Sequence, residues 1–100
     1  MPKISLIIPH QLSQDEAKTR AARLIAEGRA KAADQISEVE ENWSGYVDTV
    51  RFRARGLSIT GRLEVQATQV LIDLHLPFAA FPFKSRIEQE LLAHARQLLA

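Results

Sequence analysis

Residues 70–83, VLIDLHLPFAAFPF, join an alternating strand directly to an uncharged run rich in phenylalanine and proline. From Val70 to Leu76 every second residue is apolar and faces one side, which is the period of a half-buried β-strand. The eight residues from Leu76 to Phe83 hold three of the four Phe and two of the four Pro. Such a run fits neither a regular strand nor a complete helix. It must either close the core or form a surface that binds a partner.

Two further alternating segments precede this strand, and the connections between them are short. Apolar residues recur at alternate positions in residues 46–55 and again in residues 57–66, with Gly56 between the two segments. Parallel strands need a crossover of a dozen or more residues, so connections this short predict an antiparallel meander. Gly61 falls at an inward-facing position, where we expect a bulge or a close helix approach.

The sequence also predicts two amphipathic helices. Each begins with the S-x-x-E spacing of a capping box, in which a serine and a glutamate satisfy exposed backbone N–H groups: Ser13 with Glu16, and Ser85 with Glu88. Apolar residues then recur at intervals of three and four on one face. In the first helix this face is mostly small and includes Gly28, so we expect the helix axis to come close to the sheet.

Strands at about residues 4–8 and 37–43 complete the order β-α-β-β-β-β-α in a single domain, residues 1–100. The predicted fold class is α+β, with one twisted antiparallel sheet, both helices packed on one face and a polar opposite face. Without Cys there is no disulfide or thiolate metal site. The N-terminus lacks signal-peptide features, and no apolar run approaches the ~20 residues of a transmembrane helix, so we expect a cytoplasmic protein without a transmembrane segment.

The titratable residues do not follow the spacing of an active site. His10, His75 and His94 lie on three separate elements without a metal-binding motif, and there is no glycine-rich phosphate loop. Asp73 and His75 share the outer face of one strand, where we expect a solvated charge pair that could bridge to Arg51 or Arg53. The sequence therefore predicts no enzymatic activity, no catalytic residue, no metal ion and no cofactor.

Arg51, Arg53 and Arg55 line the predicted outer face of the third strand and form a candidate basic surface. Sheet-face RNA binders interleave exposed aromatic rings with basic residues, whereas Phe52 falls on the core-facing side. The net charge of only +1 also argues against a strong basic field. We therefore expect a solvated, salt-bridged face. This face is the alternative candidate site, at which the protein would bind nucleic acid or form a homodimer.

The run LPFAAFPF is the third candidate site. Burying one Phe or Leu contributes ~1.5–3 kcal/mol, so exposing three rings would forfeit several kcal/mol of a domain stability of ~5–15 kcal/mol. Pro77 and Pro82 favour the opposite interpretation, because a stiff segment is held in a presentable shape at low entropy cost. A core plug and a partner surface both stay open. The candidate partner-binding residues are Leu76, Phe78, Phe81 and Phe83.

Five short motifs extend over nearly the whole chain: Pro9-His10-x-Leu12-Ser13, Trp43-Ser44-Gly45, Val50-x-Phe52-x-x-x-Gly56, Gly61-x-Leu63-x-Val65 and Lys84-x-Arg86-Ile87-Glu88. Together they resemble the small bacterial "polyhydroxyalkanoic acid system" proteins. In one place the chain departs from that pattern. Tyr46-Val47 precede Asp48-Thr49, where the family more often has Gly-Asp directly, and this predicts a longer second turn.

The resemblance implies a non-enzymatic accessory protein that touches storage-polyester granules or the proteins that coat and build them. On that implication Phe78, Phe81 and Phe83 would dock on polyester or on an apolar partner, with Lys84 and Arg86 at the rim. A rival expectation is that the same run forms a homodimer interface.

Overall fold

The computed structural model describes residues 3–100, and its elements follow the predicted order. The strands are β1 (Lys3–Pro9), β2 (Ile36–Ser44), β3 (Val47–Ala54), β4 (Leu57–Val65) and β5 (Gln69–His75). The helices are α1 (Gln14–Lys31) and α2 (Lys84–Leu99), and a short 3-10 helix, Phe78–Phe83, leads into α2. The α+β class is confirmed. Residues 1 and 2 of the predicted domain lie outside the described residues.

The five strands form one antiparallel sheet in the order β1-β5-β4-β3-β2. Strands β2 to β5 follow one another as the predicted meander. Strand β1 pairs with β5 from Lys3 opposite His75 to Pro9 opposite Gln69. Helix α1 therefore connects the two edge strands of the sheet.

The core lies between the sheet and the two helices. Alternate residues of β1 and β4 are buried, while α1 contacts β4 and α2 contacts β1. The largest fully buried apolar side chains come from three strands and the residue after β5: Ile4, Ile8, Val65, Val70 and Leu76. The opposite face of the sheet carries mostly polar side chains, together with the exposed Ile7.

Helix α1 begins as the sequence predicts, but only its first half lies close to the core. The Ser13 hydroxyl accepts a hydrogen bond from the Glu16 N–H at 3.1 Å, as expected of an N-cap. Ala17 and Ala21 are fully buried. At Gly28, however, an added Cβ would meet no heavy atom within 4 Å, so the predicted close approach fails in the second half of the helix.

Helix α2 does not use the predicted capping box. It begins at Lys84, one residue before Ser85, and its N-cap residue Phe83 makes no side-chain hydrogen bond. The preceding 3-10 helix runs straight into α2, and the Lys84 N–H donates to the Phe81 carbonyl. The Phe81 carbonyl therefore satisfies the first N–H of α2, which no capping serine has to do.

Gly61 causes neither a bulge nor a close helix approach. It pairs in regular register with Val50 on one side and Leu74 on the other. An added Cβ would lie 3.0 Å from Leu74 Cδ1 and 3.1 Å from Val50 Cγ1, so side chains of the neighbouring strands close over the glycine. The irregular pairing of the sheet occurs instead between Ser37 and Glu40 in β2.

The turn between β2 and β3 is a tight one, so the predicted longer turn is wrong. Ser44 pairs directly with Val47, which leaves only Gly45 and Tyr46 in the connection. Gly45 adopts a φ of +60°, a conformation that glycine reaches without strain. The Tyr46 hydroxyl donates to Asp15 Oδ1 at 2.6 Å and ties this turn to the start of α1.

Arg55 lies in the turn between β3 and β4, not on the face of the strand. Arg55 and Gly56 both have positive φ, +52° and +79°, which a type I′ hairpin turn requires. Asparagine tolerates the first of these positions better than arginine, so we expect Arg55→Asn to raise the free energy of unfolding by about 0.5–1 kcal/mol. Urea titration measures the change. Arg51→Asn serves as the matched control and should give no gain, and an unchanged or lower stability of Arg55→Asn would contradict the strain argument.

Candidate functional site

The uncharged run after β5 folds from Phe78 to Phe83 as the 3-10 helix, in agreement with the prediction that it forms neither a regular strand nor a complete helix. The Ala80 N–H donates to the Pro77 carbonyl at 2.9 Å and starts the turn. Residues three apart lie on the same side of a 3-10 helix, so Phe78 and Phe81 share one side. Ala80 lies on a different side and is buried against the core.

The three phenylalanine rings of this helix are each more than half exposed. Phe78 is 74% exposed, Phe81 60% and Phe83 55%. Leu76, which the sequence grouped with these rings, is only 1% exposed. It extends the inward-facing side of β5, so it fills the core and takes no part in the exposed surface. The core-plug interpretation therefore applies to Leu76 and not to the rings.

The exposed residues of the 3-10 helix form a contiguous apolar segment, here called the Phe surface: Phe78, Ala79, Phe81, Pro82 and Phe83. Two basic residues follow it in α2. Lys84 is half-buried. Arg86 is exposed, and its Nε lies 3.3 Å from Glu90 Oε1. The Phe surface thus joins a basic rim at the start of α2.

The arginines of the outer sheet face are engaged with acidic side chains. Arg51 Nη2 lies 2.7 Å from Glu40 Oε2, and Arg53 Nε lies 3.5 Å from Glu38 Oε2. Exposed pairs of this kind contribute little to stability, but they lower the positive charge that the face presents. The salt-bridged face that the sequence predicts is present. Arg55, in its turn, is not part of this row.

Two of the three histidines, His10 and His94, make hydrogen bonds that hold the fold together. His10 is buried, with Nε2 3.0 Å from the Gln66 carbonyl and Nδ1 accepting from the Leu12 N–H at 3.1 Å, so both nitrogens serve the fold. His94 Nε2 lies 2.9 Å from Glu27 Oε1 and links α2 to α1. This hydrogen bond is the main reason why the pKa of Glu27 lies below its ordinary value.

Asp73 does not bridge to the arginines of β3 as proposed from the sequence. It accepts a hydrogen bond from the Ser5 hydroxyl at 2.7 Å and lies 3.7 Å from Lys3 Nζ. The Ser5 contact chiefly lowers the pKa of Asp73. Both partners belong to β1, because β1 is the strand that lies beside this end of β5. Within residues 3–100, acidic and histidine side chains form no cluster of three that could hold a metal ion.

One residue that the sequence reasoning missed is Asp48 in β3. It is 1% exposed, and no N–H or O–H group of the described residues donates to either carboxyl oxygen. Burial raises its pKa to about 8, and a side-chain hydrogen bond to Glu41 on the neighbouring strand adds to the effect, as does the negative charge of that carboxylate. The signal was available, because Asp48 occupies an inward-facing position between Tyr46 and Val50.

Asp48 lines an apolar cavity of about 250 Å³ between the helices and the sheet. Both helices and the central strands contribute to its wall, including Leu24, Gly28, Val50, Phe52, Gly61 and Leu91. Several of these side chains are only half-buried, so water reaches the cavity. Two of the wall positions at this end of α1, Gly28 and the C-cap residue Ala32, carry little or no side chain.

The fold and these features define a small α+β domain with an exposed aromatic surface and a separate apolar cavity. The chain belongs to the family described as "Putative polyhydroxyalkanoic acid system protein", whose family model matches residues 4–99. The resemblance seen in the sequence motifs is confirmed.

Other comparisons add little to this assignment. Among solved structures, the di-domain ARO/CYC BexL from the BE-7585A biosynthetic pathway is similar to 98% of this chain, with 12% identity and a TM-score of 0.45. The chain spans about half of that protein, with 50% covered. No protein of curated function matches the sequence. Within the described residues, no helix is long and apolar enough to cross a membrane.

Proposed function

We propose that the protein is a non-enzymatic accessory protein of polyhydroxyalkanoate storage-granule metabolism, and that it binds the granule through the Phe surface. The observation that carries the proposal is the exposure of all three rings, 74%, 60% and 55%. The family description supplies the connection to polyester. Proteins that coat or build the granule are the other partner class that this surface would suit.

Exposed rings of this kind do little for the stability of the isolated domain, which favours a role in binding. Transfer of the three partly exposed rings to an apolar phase would contribute about 3–6 kcal/mol. That gain is sufficient for reversible attachment of the kind that a single acyl chain gives. The 3-10 helix is held by β5 at one end and by α2 at the other, so ordering it on binding costs little entropy.

The charges around the Phe surface fit attachment at an interface between water and polyester. Lys84 and Arg86 follow the rings directly in the chain, and long basic side chains keep their charged ends in water while their stems cover apolar surface. We infer that the rings enter the polyester surface while these two residues remain at its rim. The protein would then be cytoplasmic and granule-associated.

We expect the triple substitution Phe78→Ser, Phe81→Ser and Phe83→Ser to reduce binding to purified polyester granules at least tenfold, because it removes the apolar groups that enter the polyester. Co-sedimentation at increasing granule concentration measures the change. The matched control is Ile7→Ser, which removes an apolar side chain that is 64% exposed on the opposite face of the sheet. It should bind like the wild-type protein.

Circular dichroism and thermal unfolding verify that both variants are folded. Equal retention of the triple variant and the wild-type protein would contradict the proposal. A mass that rises with concentration in the wild-type protein and falls in the triple variant would instead indicate a homodimer through the same surface.

The alternative is a nucleic-acid-binding or homodimeric module that uses Arg51, Arg53 and Arg55. The pairing of Arg51 with Glu40 and of Arg53 with Glu38 weighs against it. Strong, salt-sensitive retention of the protein on nucleic acid would favour this alternative over the Phe surface.

A further inference from the structure

The apolar cavity lies on the helix face of the sheet, apart from the Phe surface. None of the exposed rings contributes to its wall, which comes from α1, β2 to β5 and α2. Gly28 of α1 lines the cavity and is exposed, with open space where a side chain would be. A molecule that entered the cavity would therefore not compete with a partner at the Phe surface.

Asp48 is the polar group buried in the cavity wall without a donor for either carboxyl oxygen. A carboxyl group in such a place is costly unless it gains a hydrogen-bond partner. Burial raises the pKa of Asp48 to about 8, so the group is mainly protonated at neutral pH. In that form its O–H donates to the Glu41 carboxylate, and its carbonyl oxygen is the acceptor left at the cavity wall.

The size of the cavity sets the size of the molecule that would fill it. At the ~30 Å³ that a water molecule occupies in the liquid, about 250 Å³ holds roughly eight non-hydrogen atoms. It is larger than the ~150 Å³ engineered cavities that bind benzene. A chain of several methylene groups with one polar end matches this volume.

The charges near Asp48 select the polar end of the ligand. Glu41 faces the same side as Asp48 from the neighbouring strand, and Arg29 Nη1 at the end of α1 lies 3.8 Å from Glu41 Oε1. Arg29 also lines the cavity, but it is already paired with Glu41, whose negative charge disfavours a second carboxylate next to Asp48. The apolar wall disfavours a buried cation. A neutral group that both donates and accepts a hydrogen bond meets neither obstacle.

We infer that this cavity binds a small uncharged molecule with an apolar body and one hydroxyl group, which donates a hydrogen bond to Asp48. Aliphatic alcohols of medium length belong to this class. The inference goes beyond the proposed function and does not depend on it.

The test is a titration of the ¹⁵N-labelled protein with 1-hexanol, followed by amide chemical shifts. We expect saturable shifts at residues that line the cavity, and weaker binding of hexanoate and hexylamine, which share the alkyl chain but are charged. Gly28→Leu should abolish binding, because its side chain enters the open space, while Gly28→Ala should leave the affinity within about twofold. Leucine and alanine both favour the helix over glycine, so both variants should fold.

The hydrogen bond is tested at Asp48 itself. Asp48→Val should weaken 1-hexanol binding about tenfold, whereas Asp48→Asn, which still donates and accepts, should retain most of the affinity. The Phe78/Phe81/Phe83→Ser variant should bind 1-hexanol as the wild-type protein does, which separates this site from the Phe surface. Absence of saturable shifts, equal binding by Gly28→Leu, or tighter binding of hexylamine than of 1-hexanol would each overturn the inference.

Discussion

Replacing Asp48 with valine is expected to raise the free energy of unfolding by about 2–4 kcal/mol at pH 8, an unusual gain for a single substitution. The full rise in the pKa of Asp48 from 3.8 to about 8 would correspond to about 5–6 kcal/mol at 1.36 kcal/mol per unit. We expect less than that, because half-buried side chains around the cavity admit water that relieves part of the cost. Valine also suits a strand position that faces an apolar space.

The stability gained by Asp48→Val should increase as the pH rises. In the unfolded chain Asp48 loses its proton near pH 4, whereas the folded protein holds it up to about pH 8. The folded state therefore binds more protons between these values, and wild-type stability falls as pH rises through that window. The advantage of Asp48→Val should accordingly be smallest at pH 4, grow up to about pH 8 and then stay constant.

Urea titrations of the two proteins between pH 4 and pH 9 measure this difference. The lowered pKa values of Glu27, Glu64 and Asp73 act in the opposite direction at acid pH, but they are common to both proteins and cancel in the difference. Asp48→Asn, which cannot ionise, should show the same pH slope. A difference that does not change with pH would show that Asp48 carries no raised pKa.

Leu76→Ala is expected to lower the free energy of unfolding by about 2–5 kcal/mol, whereas Phe78→Ala and Phe81→Ala should each lower it by only about 1 kcal/mol or less. Leu76 is 1% exposed in the core, and its truncation leaves a cavity. The two rings are more than half exposed, so their loss removes little buried area. Urea titration of the three variants at one pH measures the contrast.

This contrast tests the orientation of the 3-10 helix. Ile7→Ala provides the reference for an exposed apolar residue elsewhere on the domain and should also have a small effect. If Phe81→Ala proved as costly as Leu76→Ala, the rings would have to pack in the core. The Phe surface would then not exist.

Much of the fold follows from patterns that act locally along the chain. The alternation in β3, β4 and β5 specifies both the strands and the face that each buries, and short connections leave only antiparallel pairing. Ser13 caps α1 because the hydrogen bond involves residues only three apart. Ser85 has the same spacing but no such role, because the 3-10 helix before it changes where α2 begins.

The sequence does not predict the exposed rings or the cavity, because both depend on how elements distant in the chain pack together. Whether the rings of the uncharged run pack inward depends on the distance between β5 and α2, which no local rule gives. The cavity likewise depends on how both helices pack over the sheet, since its wall comes from α1, α2 and four strands. Asp48 is different, because the sequence alone places it among the inward-facing apolar residues of β3. An acidic residue at such a position conflicts with burial.

Retention of the wild-type protein on protein-free polyester particles at low and high salt tests the central claim most directly. Attachment through Phe78, Phe81 and Phe83 is apolar, so we expect the partition coefficient in 1 M NaCl to equal or exceed that in 0.1 M NaCl. Charge-based attachment would weaken over the same range, because the screening length falls from about 10 Å to about 3 Å. A loss of tenfold or more in 1 M NaCl would contradict docking through the Phe surface.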